Sequence, residues 1–158
     1  MNQDLLKNTF EYREGELYWK IKPSVRTNIG DMAGSSKGIY KKVQVFGKTY
    51  QIHRLIFMMF NGFFPKNVDH IDGNKLNNRI ENLRAATTSQ NMCNVKIPSS
   101  NTSGIKGVSW HKQRKSWQVQ LRVSGKSTYF GLFKDIELAE LVILEARNKF
   151  HGKFARTV

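Results

Sequence analysis

The chain has 158 residues, with 26 Lys and Arg against 12 Asp and Glu, a formal charge of +14 and a pI near 10.1, a balance that points to polyanionic partners and first to nucleic acid. A hydrophobic fraction of 39%, with three Trp, five Tyr and ten Phe, excludes disorder throughout, and the single Cys93 excludes intramolecular disulfides and Cys-rich zinc sites. The amino terminus MNQDLLKNTFEYREGE does not read as a secretion signal and the longest apolar run, Ile56 to Phe60 with Phe63 and Phe64 beyond, is too short to span a bilayer, so a soluble cytoplasmic protein is expected.

Residues 10 to 22 alternate around Glu14-Gly15 as a hairpin does, with Leu17 and Trp19 on one face. GIYKKVQVFGKTYQIH suggests a second strand pair, Val43 and Val45 pointing one way and Phe46-Gly47-Lys48 making the turn. His53 to Phe60 reads as a two-turn apolar helix that stops near Asn61-Gly62. Asn67 to Ile71 is strand-like, Asp72 to Asn78 is a loop of Asp, Gly and Asn, and Leu83 to Ala86 is a short second strand. Thr87 or Thr88 can then cap a helix running to about Asn94.

The segment 98–104, PSSNTSG, has the composition of a linker, which places a boundary between residues 1–97 and 105–155. Beyond it, Gly107 to His111, Ser116 to Val123 and Ser127 to Phe133 predict a three-stranded antiparallel sheet with turns at Gln113-Arg114 and Ser124-Gly125-Lys126. Asp135 can cap a helix to Phe150, with Ala139, Val142, Ile143, Ala146 and Phe150 on one face and Gly152 past its end. The fold class expected is α+β, with one sheet packed on one helix in the second part. Residues 101 to 134 hold Lys106, Lys112, Arg114, Lys115, Arg122, Lys126 and Lys134 and no acid, whereas Asp135, Glu137, Glu140 and Glu145 lie in the helix. A basic sheet face backed by a helix suits a DNA groove.

Asp69-His70 is followed twelve residues after the His by Asn82 and nine further on by Asn91. Taken singly each has an ordinary structural reading, since Asp-x-x-Gly and Asn-rich stretches are common in turns. Together they supply what phosphodiester hydrolysis needs. His70 can act as general base at neutral pH, and Asn82 offers a side-chain amide or a backbone carbonyl to orient it. Asp69 and Asn91 offer two oxygens that, with water and phosphate, suit Mg²⁺ or Mn²⁺ rather than zinc.

The stretch resembles the HNH homing endonuclease superfamily, in Val68-Asp69-His70-Ile71-Asp72-Gly73-Asn74, in Asn77-Asn78-Arg79-Ile80-Glu81-Asn82-Leu83-Arg84, in Thr87 leading to Asn91 and Asn94, and upstream in His53-Arg54-Leu55-Ile56. The resemblance implies a strand, strand and helix around one metal ion, a ββα-metal core over about residues 66–95. It also implies that Asp69 and Asn91 bind the metal, His70 activates water and Asn82 positions His70. Asn91 stands where the family's name has its final His, as in the phage and intron branch, and Asn94 is the alternative to it.

Residues 105–155 look like the DNA-binding domain of plant ethylene-response factors (Apetala type), in Gly107-Val108, Trp110, Trp117, Gly125-Lys126, Tyr129-Phe130-Gly131, Phe133, Ala139 and Gly152-Lys153-Phe154-Ala155. That resemblance implies contacts by Trp110, Arg114, Trp117, Gln118, Gln120, Arg122 and Tyr129 on one shared face, with Trp117 divided between contact and core. Lys112, Lys115 and Lys126 are expected on phosphates and Arg114, Arg122, Gln118 and Gln120 on base edges. The expected whole is a monomeric, metal-dependent endonuclease acting on double-stranded DNA. The alternative is a sequence-specific DNA-binding regulator with an inactive HNH scaffold.

Overall fold

The computed structural model describes residues 1–35 and 38–155. By packing, the chain falls into two compact units, Met1–Thr87 and Thr88–Val158.

The first unit opens with a helix that hydrophobic alternation did not announce, α1 (Gln3–Thr9). Its signals are local: the Asn2 side chain accepts from the Leu5 backbone N–H at 2.9 Å, Asp4 sits in the first turn and Lys7 in the last. β1 (Phe10–Arg13) and β2 (Glu16–Trp19) form the expected hairpin, with Phe10 opposite Trp19. Glu14 and Gly15 both have positive φ, 47° and 92°, which matches the turn to the twist of the two strands. β3 (Lys42–Val45) and β4 (Lys48–Gln51) pair in the same way and bury Val43 and Val45.

The apolar helix α2 (Ile52–Asn61) ends at Gly62 in the left-handed conformation. It buries Ile52, His53, Leu55, Ile56, Phe57, Met58 and Met59, and touches α1, β2, β4 and the last strand pair of the unit, so it is the spine of the core. Each fully buried apolar side chain there contributes about 1.5–3 kcal/mol, which lets two-stranded ribbons too small to stand alone hold together. β5 (Asn67–His70) and β6 (Leu83–Ala86) pair antiparallel, Asp69 opposite Arg84 and His70 opposite Leu83.

The second unit begins with the short helix α3 (Thr88–Cys93). The sheet follows in the order β7 (Val108–His111), β8 (Ser116–Val123), β9 (Lys126–Phe133), covered by α4 (Ile136–His151). Val108, Val119 and Leu121 pack against Ala139, Ile143 and Ala146. Asp135 caps α4 as expected, its carboxylate accepting from the Glu137 N–H at 2.7 Å.

Two details differ from the sequence reading. Phe150 is 45% exposed and keeps a ring contact with Phe130 at 6.0 Å, while Arg147 is buried in the helix face instead. Arg147 can sit there because its stem is apolar and its guanidinium donates to the Lys106 carbonyl. The segment 98–104 lies inside the second unit, and two of its polar side chains are engaged. Asn101 Nδ2 donates to the Ile105 and Val108 carbonyls at 3.1 and 3.2 Å, and Ser103 Oγ lies within hydrogen-bonding distance of the same two, at 3.0 and 2.8 Å.

Candidate active site

In the first unit the chemistry sits at the end of β5. Alternation along the strand puts Val68 and His70 on the face toward α2 and Asp69 on the other. His70 is 4% exposed, and its ring meets His53 of α2 edge-on at 4.9 Å. Tyr40 adds a third ring, 5.1 Å from His53 and 6.2 Å from His70. Burial, followed by the charges of His70 and Arg54, pushes the His53 pKa down to about 3, so this neighbour stays neutral at physiological pH.

The imidazole Nε2 of His70 lies 3.1 Å from Oδ1 of Asn78, a side chain only 2% exposed. On the opposite face Arg84 donates to Asp69 Oδ2 from Nε at 2.8 Å and from Nη2 at 2.7 Å.

Between the strands, residues 71–82 form a tightly bonded loop. Gly73 N–H donates to the His70 carbonyl at 2.8 Å, turning the chain directly after the catalytic candidate. The Asp72 carboxylate accepts from Asn74 N–H and Asn77 Nδ2, both at 2.7 Å, and from Asn82 Nδ2 at 2.9 Å. Burial acts to raise the Asp72 pKa, but these bonds and the charge of His70 together hold it below the ordinary carboxylate value. Asn82 ends a single 3-10 turn (Ile80–Asn82), ahead of β6 rather than within it. Its Oδ1 accepts from Asp72 N–H at 3.0 Å and its Nδ2 also donates to the Asn77 carbonyl at 2.8 Å. Its backbone carbonyl accepts from Ile71 N–H at 2.9 Å, next to His70. The Asn82 side chain therefore closes the loop, and the amide that reaches His70 belongs to Asn78.

Asp69, His70 and Asn82 are thus gathered at the β5–β6 pair. Asn91 stands on α3 in the second unit, half-buried, its carbonyl accepting from the N–H of the buried Asn94 at 3.2 Å. Asn78, Arg84, His53 and Tyr40 were absent from the sequence-based site. The doublet Asn77-Asn78 was visible, but loop composition does not tell which Asn turns inward.

The register corrects the expectation of one shared face in the second unit. Trp110 lies directly opposite Trp117, their rings 4.9 Å apart and edge-on, and Trp117 alternates with the buried Val119 and Leu121 on the side of α4. Gln118, Gln120 and Arg122 take the other side. Tyr129, opposite Gln120 and 56% exposed, joins them because a register shift between Val119 and Gln120 intervenes. Lys112, Arg114 and Lys115 occupy the exposed β7–β8 turn, and Lys126 opens β9.

A family model for HNH endonucleases matches residues 50–93, from the end of β4 through α2, β5 and β6 to α3. Protein 3.8 of Escherichia phage T7 is 41% identical over 120 residues, which cover 73% of this chain and 97% of that protein. The chain belongs to the HNH endonuclease family. A protein of Acanthamoeba polyphaga mimivirus named as an uncharacterized HNH endonuclease, L560, is 45% identical over 69 residues, 42% of this chain and 36% of its own length. YosQ of Bacillus subtilis strain 168, a product of the SPbeta prophage whose name gives it provisionally as an HNH homing endonuclease, is 46% identical over 46 residues, 28% of this chain and 27% of its own. No solved structure matches the chain. As an HNH nuclease the protein acts on DNA, and HNH nucleases generally use a divalent metal.

Among the described residues no three His, Cys, Asp or Glu side chains gather as a metal cage. This HNH site offers the buried Asp69 carboxylate as its hard oxygen donor. A carboxylate of this kind fits a cation that keeps several waters and takes phosphate oxygens, as Mg²⁺ and Mn²⁺ do.

Proposed function

We propose that the protein is a homing-type, metal-dependent endonuclease that nicks or cuts double-stranded DNA at a recognised site. The observation that carries the reading is the adjacency of Asp69 and His70, both buried, on opposite faces of the last two residues of β5. His70 takes the proton from the attacking water, and its orientation comes from packing against His53 and from hydrogen bonding. Asp69 would hold one Mg²⁺ or Mn²⁺, and Asn91 is the second ligand that the family resemblance implies. The bound cation supplies charge neutralisation on the phosphate and the leaving oxygen. The protein works as a monomer, so one site cleaves one strand per engagement.

The sheet β7–β9 with α4 is proposed as a DNA-binding domain of the ethylene-response-factor type. Its open face carries Gln118, Gln120, Arg122 and Tyr129, donors and acceptors suited to base edges, while Lys112, Arg114, Lys115 and Lys126 sit at its turns, suited to phosphates. Tethering a weakly selective nuclease to such a domain raises its local concentration at one sequence.

The experiment is a nicking assay on supercoiled DNA with Mg²⁺ or Mn²⁺, run beside a gel shift. Wild type cuts and His70→Ala does not, while both retain DNA affinity. Identical behaviour of the two proteins in both assays would overturn the reading in favour of a DNA-binding regulator.

A further inference from the structure

We infer that Asn78 is a positioning residue for His70 and that the β1–β2 hairpin, outside the stretch matched by the family model, is the strut that holds Asn78 in place. The inference rests on His70 being the general base.

Three observations carry it. First, the contact is direct and buried. Nε2 of His70 and Oδ1 of Asn78 are 3.1 Å apart, and the residues are 4% and 2% exposed. An amide oxygen can only accept, so the bond selects the tautomer with its proton on Nε2.

Second, the amide is not explained by stability. Its Nδ2 is buried with no hydrogen-bond partner among the described residues. A buried donor left unsatisfied is costly, and an apolar side chain of similar volume, such as Leu, would avoid the cost. A residue that breaks a local rule of packing in this way marks a site kept for function.

Third, the backbone of Asn78 is clamped from the amino-terminal hairpin. A Cβ on Gly15 would stand 2.8 Å from Arg79 N and 2.9 Å from the Asn78 carbonyl carbon, so the turn lies directly on the 78–79 peptide. The Tyr12 hydroxyl accepts from Ile80 N–H at 3.0 Å, and Glu14 pairs with Arg79 at 3.1 Å. The Glu14 pair is exposed and adds little. Tyr12 is anchored in turn, its ring edge-on to Phe60 at 4.9 Å. Residues 12 to 15 thus fix residues 78 to 80, and Asn78 holds the imidazole through Nε2.

The test uses the full chain with ¹⁵N-labelled histidine, read by imidazole NMR, thermal melting and nicking kinetics. In wild type His70 shows the Nε2-protonated tautomer with a slowly exchanging Nε2–H. Asn78→Leu melts at or above the wild-type temperature, loses the single tautomer, and shows kcat lowered about 10–100-fold with KM for DNA unchanged. Tyr12→Phe, which removes only the hydroxyl, and Gly15→Ala both broaden the His70 signal. Two outcomes overturn the assignment: an unchanged tautomer and kcat in Asn78→Leu, or a loss of melting temperature with kcat and KM moving together. An unchanged His70 signal in both Tyr12→Phe and Gly15→Ala overturns the strut. If Asn78→Leu frees the tautomer while His70→Ala still cuts like wild type, positioning stands and the general-base reading falls.

Discussion

Arg84 lies directly across the strand pair from Asp69 and grips a single carboxylate oxygen, Oδ2, with two of its nitrogens, at 2.8 and 2.7 Å. The side chains are 14% and 5% exposed. A guanidinium thus sits on the carboxylate proposed to hold the cation. Arg84→Met leaves that carboxylate buried without its charged partner, and breaking such a pair costs about 3 kcal/mol. The variant is expected to melt well below wild type in chelator and to regain more stability than wild type on addition of Mg²⁺, because the cation then meets an uncompensated charge. Melting curves with and without Mg²⁺ check both. Equal melting in chelator would refute the role assigned to the pair.

Acid should destabilise the first unit through His53. Its pKa is about 3 folded against an ordinary 6.5, lowered first by burial. Between these values the unfolded chain binds a proton that the folded one refuses, so stability is complete above pH 6.5 and is lost as pH falls toward 3. Denaturant midpoints from pH 7 to pH 4 should decline in wild type and decline less steeply in His53→Phe. Parallel curves would count against it. The lowered Asp72 works in the same direction at the acid end.

Gly107 is the tight point of the second unit. With φ at 89°, it would place a Cβ 2.7 Å from the Gln120 carbonyl oxygen and 2.9 Å from Ile143 Cδ1. Both are rigid neighbours, one the backbone of β8 and one the fully buried core of α4. Gly107→Ala should cost about 2–3 kcal/mol in backbone strain alone. Hydrogen exchange should show the loss in β7, β8 and α4, with the amides of α2 protected as before.

The two sides of the sheet β7–β9 predict opposite phenotypes. Arg122→Ala and Tyr129→Ala, on the open side, should weaken DNA binding by about 1–3 kcal/mol each with melting unchanged. Trp117→Ala, on the α4 side, should cost about 3 kcal/mol of stability. Lys112→Ala and Lys115→Ala should each flatten the dependence of log affinity on log salt by about 0.9. Gel shifts across a salt series, beside melting curves, separate the three groups.

Strand alternation made most elements readable: Leu17 and Trp19, Val43 and Val45, and the three strands of the second unit lie where polarity placed them. α1 escaped because it is short and half polar, its capping signal resting on Asn2 alone. Asp69 and His70 were legible because strand spacing fixes their faces. The partner of His70 was not. Asn77, Asn78 and Asn82 carry the same amide, and their roles were decided by hydrogen bonds to Asp72 within the loop and by the hairpin pressed against residue 79, a long-range contact. The split of the Trp side from the Gln and Arg side was open to alternation, but the register shift that brings Tyr129 beside Gln120 was not.

The acids of the second unit are confined to α4 and its cap, while the strands and turns on the opposite side hold only basic charge. Such a unit is a permanent electric dipole as well as a cation. Near a polyanion it feels a torque in addition to a pull, and within about a Debye length, roughly 8 Å at physiological salt, that torque acts before any side chain touches. On the proposed reading of the sheet as the DNA-binding face, encounters are then pre-rotated sheet-first and productive collisions are a larger share of all collisions. Turning the charges of α4 from acidic to neutral would leave every atom of the open face in place, strengthen the pull and weaken the torque that aims it.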